Sequence, residues 1–120
     1  MPSRRAESPV QRPKALSEGE ECLALHLKAY GLSYEREVCL VPGRKYRWDF
    51  CVKDLAIEVQ GGIWQKGGHS SGLGILRDAR KTNAVVLAGY RPLIFTTDMV
   101  KSGEAIAVIR KALQSPRAFL

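Results

Sequence analysis

A chain of 120 residues, 45% of them hydrophobic, is long enough to enclose a single packed core. Nineteen Lys and Arg against twelve Asp and Glu leave a formal charge of +7, a balance that suits a polyanionic partner. No apolar run reaches membrane-spanning length and the start is too polar for a signal peptide. Three widely spaced cysteines (Cys22, Cys39 and Cys51) make no disulfide framework, so a reduced, cytoplasmic setting is expected, with no membrane partner.

Residues 1 to 16 carry Pro2, Pro9 and Pro13 among Arg4, Arg5, Arg12 and Lys14, with few large apolar groups. Such a segment cannot bury enough surface to order itself, which predicts a flexible basic tail ahead of one domain over residues 17 to 120. Ser17-Glu18-Gly19-Glu20 has capping-box spacing and opens a helix expected to run to about residue 30, where Gly31 stops it. Glu20, Leu23, Ala24, Leu27 and Tyr30 share one face of that helix, so Glu20 heads the stripe that should meet a sheet. A capping hydrogen bond is the competing account of Glu20.

A first strand is expected over residues 34 to 41, with Pro42-Gly43 turning the chain into a central pair. In that pair Trp48, Phe50 and Val52 alternate with Arg47, Asp49 and Cys51. Leu55, Ile57 and Val59 then alternate with Ala56, Glu58 and Gln60. A turn at Lys53-Asp54 would pair Val52 with Leu55 and put Asp49 opposite Glu58, with Gln60 on the same face. Like charges opposed across a sheet are destabilising. They persist on a solvated polar face, with Arg47 as screening neighbour, or where they share a proton, meet cations or hold a divalent metal.

After Gly61-Gly62, a loop to about residue 74 holds Trp64, Lys66 and His69, and its length favours a binding role. A helix follows over about residues 75 to 88, with Arg77, Arg80 and Lys81 in its first half and Leu76, Ala79, Val86 and Leu87 as apolar contacts. Residues 91 to 96 read as a fourth strand. A last helix, capped by Asp98 or Thr97, is expected over about residues 99 to 113. The order is αβββαβα, with the fourth strand able to lie parallel to the third: a mixed α/β sheet flanked by helices. A zinc site from Cys22 and His26 with Cys39, Cys51 or His69 has no CxxC pair behind it, and small apolar core cysteines explain those residues more simply.

Asp49 followed by Glu58-Val59-Gln60 on the next strand resembles the PD-(D/E)XK nuclease motif with glutamine in place of lysine. The likeness extends over about residues 17 to 100, through Ser17-Glu18-Gly19-Glu20 to Leu23, Arg47-Trp48-Asp49-Phe50, Ala56-Ile57-Glu58-Val59-Gln60-Gly61-Gly62, Arg77-Asp78, and Leu87-Ala88-Gly89-Tyr90-Arg91 to Phe95-Thr96. These stretches are similar to the very-short-patch-repair-like and DUF559-type branch of that superfamily. The resemblance implies a restriction-endonuclease-like αβββαβ core, here with a C-terminal helix, and metal-dependent hydrolysis of DNA phosphodiesters.

Carried over residue by residue, the resemblance makes Asp49 and Glu58 the central ligands of Mg2+, with Mn2+ able to substitute. The Val59 carbonyl and Glu20 would complete the set. Gln60 stands where a lysine often accompanies the attacking water, and a glutamine orients water but carries no positive charge. Lys66, His69 and Lys81 are the substitutes, and only a histidine has an ordinary pKa suited to general-base work near neutrality. Arg47, Lys66, Arg77, Arg80 and Lys81 would hold the DNA backbone, and Trp64 either stacks on an unpaired base or packs on the core.

The expected protein is a small endonuclease selective for branched, nicked or mismatched DNA, acting alone or as a homodimer, of a kind that suits a phage or mobile-element gene in a bacterial cytoplasm. A catalytically decayed DNA-binding module on the same fold is the alternative, and a basic interaction protein with a solvated acidic face is a third.

Overall fold

A computed structural model describes residues 18–61 and 72–115. In chain order they form α1 (Glu18–Ala29), β1 (Glu35–Cys39), β2 (Arg47–Val52), β3 (Leu55–Gln60), α2 (Gly72–Leu87), β4 (Arg91–Thr96), α3 (Thr97–Lys101) and α4 (Glu104–Gln114). The expected basic tail, and the loop residues Trp64, Lys66 and His69, lie outside the described residues.

The four strands pair in the order β1-β2-β3-β4. The first two pairings are antiparallel and β3 with β4 is parallel, as a strand returning from a crossover helix allows. The β2–β3 turn takes only Lys53 and Asp54, with Lys53 at φ 53°, a left-handed value that tight hairpin turns require. Arg91 braces this end of the sheet: its guanidinium donates to both Asp54 oxygens at 2.8 and 2.9 Å and to the Ala112 and Ser115 carbonyls at the end of α4.

Two clusters of buried side chains separate the faces of the sheet. On one, Phe50, Val52, Leu55, Ile57, Val59 and Phe95 meet Leu23, Ala24 and Leu27 of α1, Val100 of α3, and Ala105, Ile106 and Ile109 of α4. On the other, Trp48 and Ala56 meet Val85 of α2, with Leu40, Val41 and Tyr90 alongside. Trp48 therefore leaves the Phe50 and Val52 face to which simple alternation assigns it. Regular pleating is interrupted at this level, where Glu37, opposite Asp49 on β1, takes φ 52°.

Three further expectations are corrected. The last helix is two helices, because Gly103 at φ 92° breaks the chain between α3 and α4. The cap of α3 is Thr96, whose hydroxyl accepts from Met99 N–H at 3.2 Å, rather than Thr97 or Asp98. Finally, α2 buries Val85 and leaves Leu76, Val86 and Leu87 exposed. Its sheet-facing stripe runs through Asp78, Lys81, Thr82 and Val85, at helical spacing, so only its C-terminal half is closed by apolar packing.

Gly19, buried in the first turn of α1, lets that turn press onto the sheet: a Cβ there would lie 2.9 Å from Val59 Cγ1 and 2.8 Å from Thr97 Oγ1. Gly19→Val should therefore overpack this junction and destabilise the fold by about 1–3 kcal/mol. A thermal melt checks this, with a lowered Tm as the expected result.

Candidate functional site

The β2–β3 ladder runs from Val52–Leu55 through Cys51–Ala56 to Phe50–Ile57 and goes no further. One step beyond, Asp49 stands across from Glu58, the register expected of the two-residue turn. The amide that would extend the ladder, Val59 N–H, donates instead to Asp49 Oδ2 at 2.8 Å. A side chain thus takes the place of a backbone acceptor where the strands part, and it fixes the aspartate in the gap.

Two more acids reach the same point. Glu37 lies between the Arg36–Phe50 and Val38–Trp48 pairs of β1, directly across from Asp49. Glu20, 8% exposed, comes from the buried stripe of α1. One carboxylate oxygen from each of Glu20, Glu37 and Asp49 lies within 4.8 Å of the others. Arg36 donates to Glu20 at 3.3 Å and to Glu21 at 3.1 Å, and Arg47 pairs with Glu37 at 3.4 Å. Glu58 points toward α2, where Lys81 Nζ donates to its Oε1 at 2.9 Å.

Burial and mutual repulsion raise the proton affinity of the acids. Glu20 is pushed up to about 7, by desolvation first, then by the charges of Asp49 and Glu37, against the opposing pull of Arg36. Asp49 rises to about 6 through desolvation and Glu58, although the Val59 N–H, a hydrogen bond with Glu20 and the Lys81 charge oppose it. Glu58 is also raised, by burial, with Lys81 holding it back. Groups crowded in this way at neutral pH either share protons or hold a cation, and an all-carboxylate donor set suits a hard divalent ion such as Mg2+ or Mn2+.

Beside the acids opens a cleft of about 510 Å³, lined by Cys39, Lys45, Arg47, Asp49, Glu58, Arg77, Asp78 and Lys81. A smaller recess of about 20 Å³, room for a water molecule, joins Gln60 to Trp48, Glu58, Asp78, Lys81, Thr82 and Ile94. Of the residues singled out from sequence, Asp49, Glu58, Arg47, Arg77 and Lys81 line the cleft, Gln60 lines the recess, Glu20 joins Asp49 in the acid triangle, and Val59 contributes its amide. Arg80 is exposed on α2 and does not line the cleft.

Sequence reasoning missed Glu37, Lys45, Asp78 and the contact of Trp48 with Lys81. Glu37 is legible only through the β1–β2 register, which a connection across residues 40–46 leaves open. The stripe of α2 would have given Asp78, four residues before Thr82 and seven before Val85. The cysteines do not converge: Cys22 Sγ lies 3.8 Å from His26 Nε2, Cys39 is exposed, and Cys51 is buried with its Sγ on the Lys53 carbonyl.

This architecture is similar to that of the homing endonuclease I-Bth0305I catalytic domain, with a TM-score of 0.58 over 80% of this chain and 89% of that one, at 22% identity. The fold is nuclease-like. No protein-family model and no curated protein matches the sequence. At 22% identity the likeness establishes architecture, and the chemistry must be argued from the acids and the cleft.

The raised carboxylates tie stability to pH. Between their ordinary values of 3.8 and 4.5 and their folded values of about 6 and about 7, Asp49 and Glu20 hold protons that the unfolded chain has released. The native state then binds more protons, so stability falls as pH rises through that window. With chelator present, Tm should drop between about pH 5 and about pH 7.5, less so in Asp49→Asn, and Mn2+ should restore it at the upper end. A Tm indifferent to pH across that range would contradict the assignment.

Proposed function

We propose that this chain is a divalent-metal-dependent endonuclease that hydrolyses DNA phosphodiester bonds. The observation that carries the proposal is Asp49 at the break in the β2–β3 ladder, grouped with Glu20 and Glu37 and sharing with Glu58 a cleft edged by Lys45, Arg47, Arg77 and Lys81. The nuclease-like fold supports the same reading. So does the motif resemblance to the PD-(D/E)XK superfamily and its very-short-patch-repair and DUF559 branch.

Asp49 and Glu58 are the ligands proposed for Mg2+, with Glu20 and the Val59 carbonyl, and Glu37 is added to them. Bound there, the ion would lower the pKa of a coordinated water and offset charge gathering on the phosphate. Gln60, beside the small recess, orients a water through its carboxamide. His69 is retained as a candidate proton acceptor. Lys45, Arg47 and Arg77 hold backbone phosphates, with Arg80 and Lys66 as outer contacts, so affinity should depend more on salt than on base sequence. A basic rim that holds backbone phosphates suits branched, nicked or mismatched DNA, cut by one chain or by a homodimer.

The neutral Gln60 favours one competing reading, a decayed nuclease that only binds. Supercoiled plasmid incubated with Mg2+ or Mn2+ separates the two. Cleavage should fall by on the order of a hundredfold or more in Asp49→Asn and Glu58→Gln while DNA binding persists. Binding without cleavage by the wild type in either metal would establish the decayed module, and absence of both would leave a basic protein with a solvated acidic face.

The rim makes a separate prediction. Each of Arg47→Ala and Arg77→Ala should reduce the slope of log affinity against log salt by about 0.9 on duplex DNA. Unchanged slopes would remove those residues from the phosphate contacts.

A further inference from the structure

We infer that Lys81 is a catalytic residue of this site, the fixed positive charge that meets the reacting phosphate, and that Trp48 is the positioning residue that holds it there. This rests on the nuclease reading above and supplies what Gln60 lacks.

Lys81 Nζ lies 2.9 Å from Glu58 Oε1 and 4.7 Å from the centroid of the Trp48 ring. Its side chain is 15% exposed. It borders both the cleft that holds Asp49 and the recess that holds Gln60, so it stands next to the position where the motif places its lysine. Two features argue against a purely structural ion pair. A lysine beside a cluster of acids competes with any divalent ion for them, a cost that its own pairing with Glu58 does not require, since partly buried pairs add little stability. Trp48, in turn, is fully buried, yet its indole N–H has no hydrogen-bond partner among the described residues. The polar contact that Trp48 does make is through its ring, which carries the Lys81 ammonium.

The helix makes this placement possible, because α2 presents Asp78, Lys81 and Thr82 toward the sheet ahead of the apolar anchor Val85. When Glu58 is committed to a metal ion, Lys81 keeps its place against Trp48 and has N–H donors to offer a non-bridging phosphate oxygen. A point charge on a flexible stem needs such a support to remain aimed.

Lys81→Met gives two readouts of opposite direction. Mn2+ titrated calorimetrically should bind about tenfold more tightly, since a competing positive charge is gone. Cleavage at saturating DNA should slow by on the order of a hundredfold, with DNA affinity little changed. Lys81→Arg should recover part of the rate, and Lys81→Gln replaces the methionine variant if that chain fails to fold. Trp48→Phe should keep most of the turnover, whereas Trp48→Leu should lower kcat with KM unmoved. A lysine variant that cleaves at the wild-type rate, or one that loses Mn2+ affinity together with cleavage, overturns the role of Lys81 while leaving the nuclease reading intact. A wild type that neither binds Mn2+ nor cleaves overturns both.

Discussion

The hydrogen bond from Val59 N–H to Asp49 Oδ2 is the contact on which the arrangement of this protein turns. It forms where two antiparallel strands stop pairing, and it converts a break in the sheet into a fixed carboxylate. An aspartate on a continuous ladder would point to one face and meet one set of neighbours. At the break, Asp49 meets Glu37 and Glu20 on one side and Glu58 on the other, and it feels the charge of Lys81. Burial and mutual repulsion there work against the fully ionised state, so at neutral pH the acids either share protons or hold a counter-ion in the gap.

The rest of the molecule serves to hold that gap open. One face of the sheet is sealed by α1, α3 and α4 around Phe50, Leu55, Ile57 and Phe95, and this supplies the apolar burial that holds the strands in place. The close approach at Gly19 carries Glu20 to the sheet. The other face is only half sealed. Val85 and Trp48 close it at one end, and beyond them α2 turns polar side chains toward β3. A cleft with a basic rim results from the same helical stripe that anchors the helix, so packing and chemistry share one face.

The parts of this arrangement set by local pattern were legible in the sequence. Alternation along residues 47–60 gave both central strands and, for a turn centred on Lys53-Asp54, the opposition of Asp49 to Glu58, because a short hairpin leaves little freedom of register. The stripe Glu20, Leu23, Ala24 and Leu27 gave the buried acid of α1. What failed depends on contacts distant along the chain or on departures from regular geometry. Glu37 was invisible because seven residues between β1 and β2 do not fix a register, and the face of Trp48 was misread because pleating is interrupted beside it. The apolar residues of α2 misled in another way: Leu76, Val86 and Leu87 outnumber Val85, yet the helix turns Val85 inward and leaves the other three exposed. The break at Gly103 was passed over because a lone glycine in a helical pattern is tolerated as often as it ends the helix.

The functional proposal requires that the acids around Asp49 hold a hard divalent cation. Anomalous diffraction from a crystal soaked in Mn2+ tests it most directly. A single peak coordinated by Asp49 with Glu58, Glu20 or Glu37, and with Glu58 drawn from Lys81, is the predicted result. A map with no peak in the gap, the Val59 N–H still on Asp49 and Lys81 still on Glu58, would contradict it.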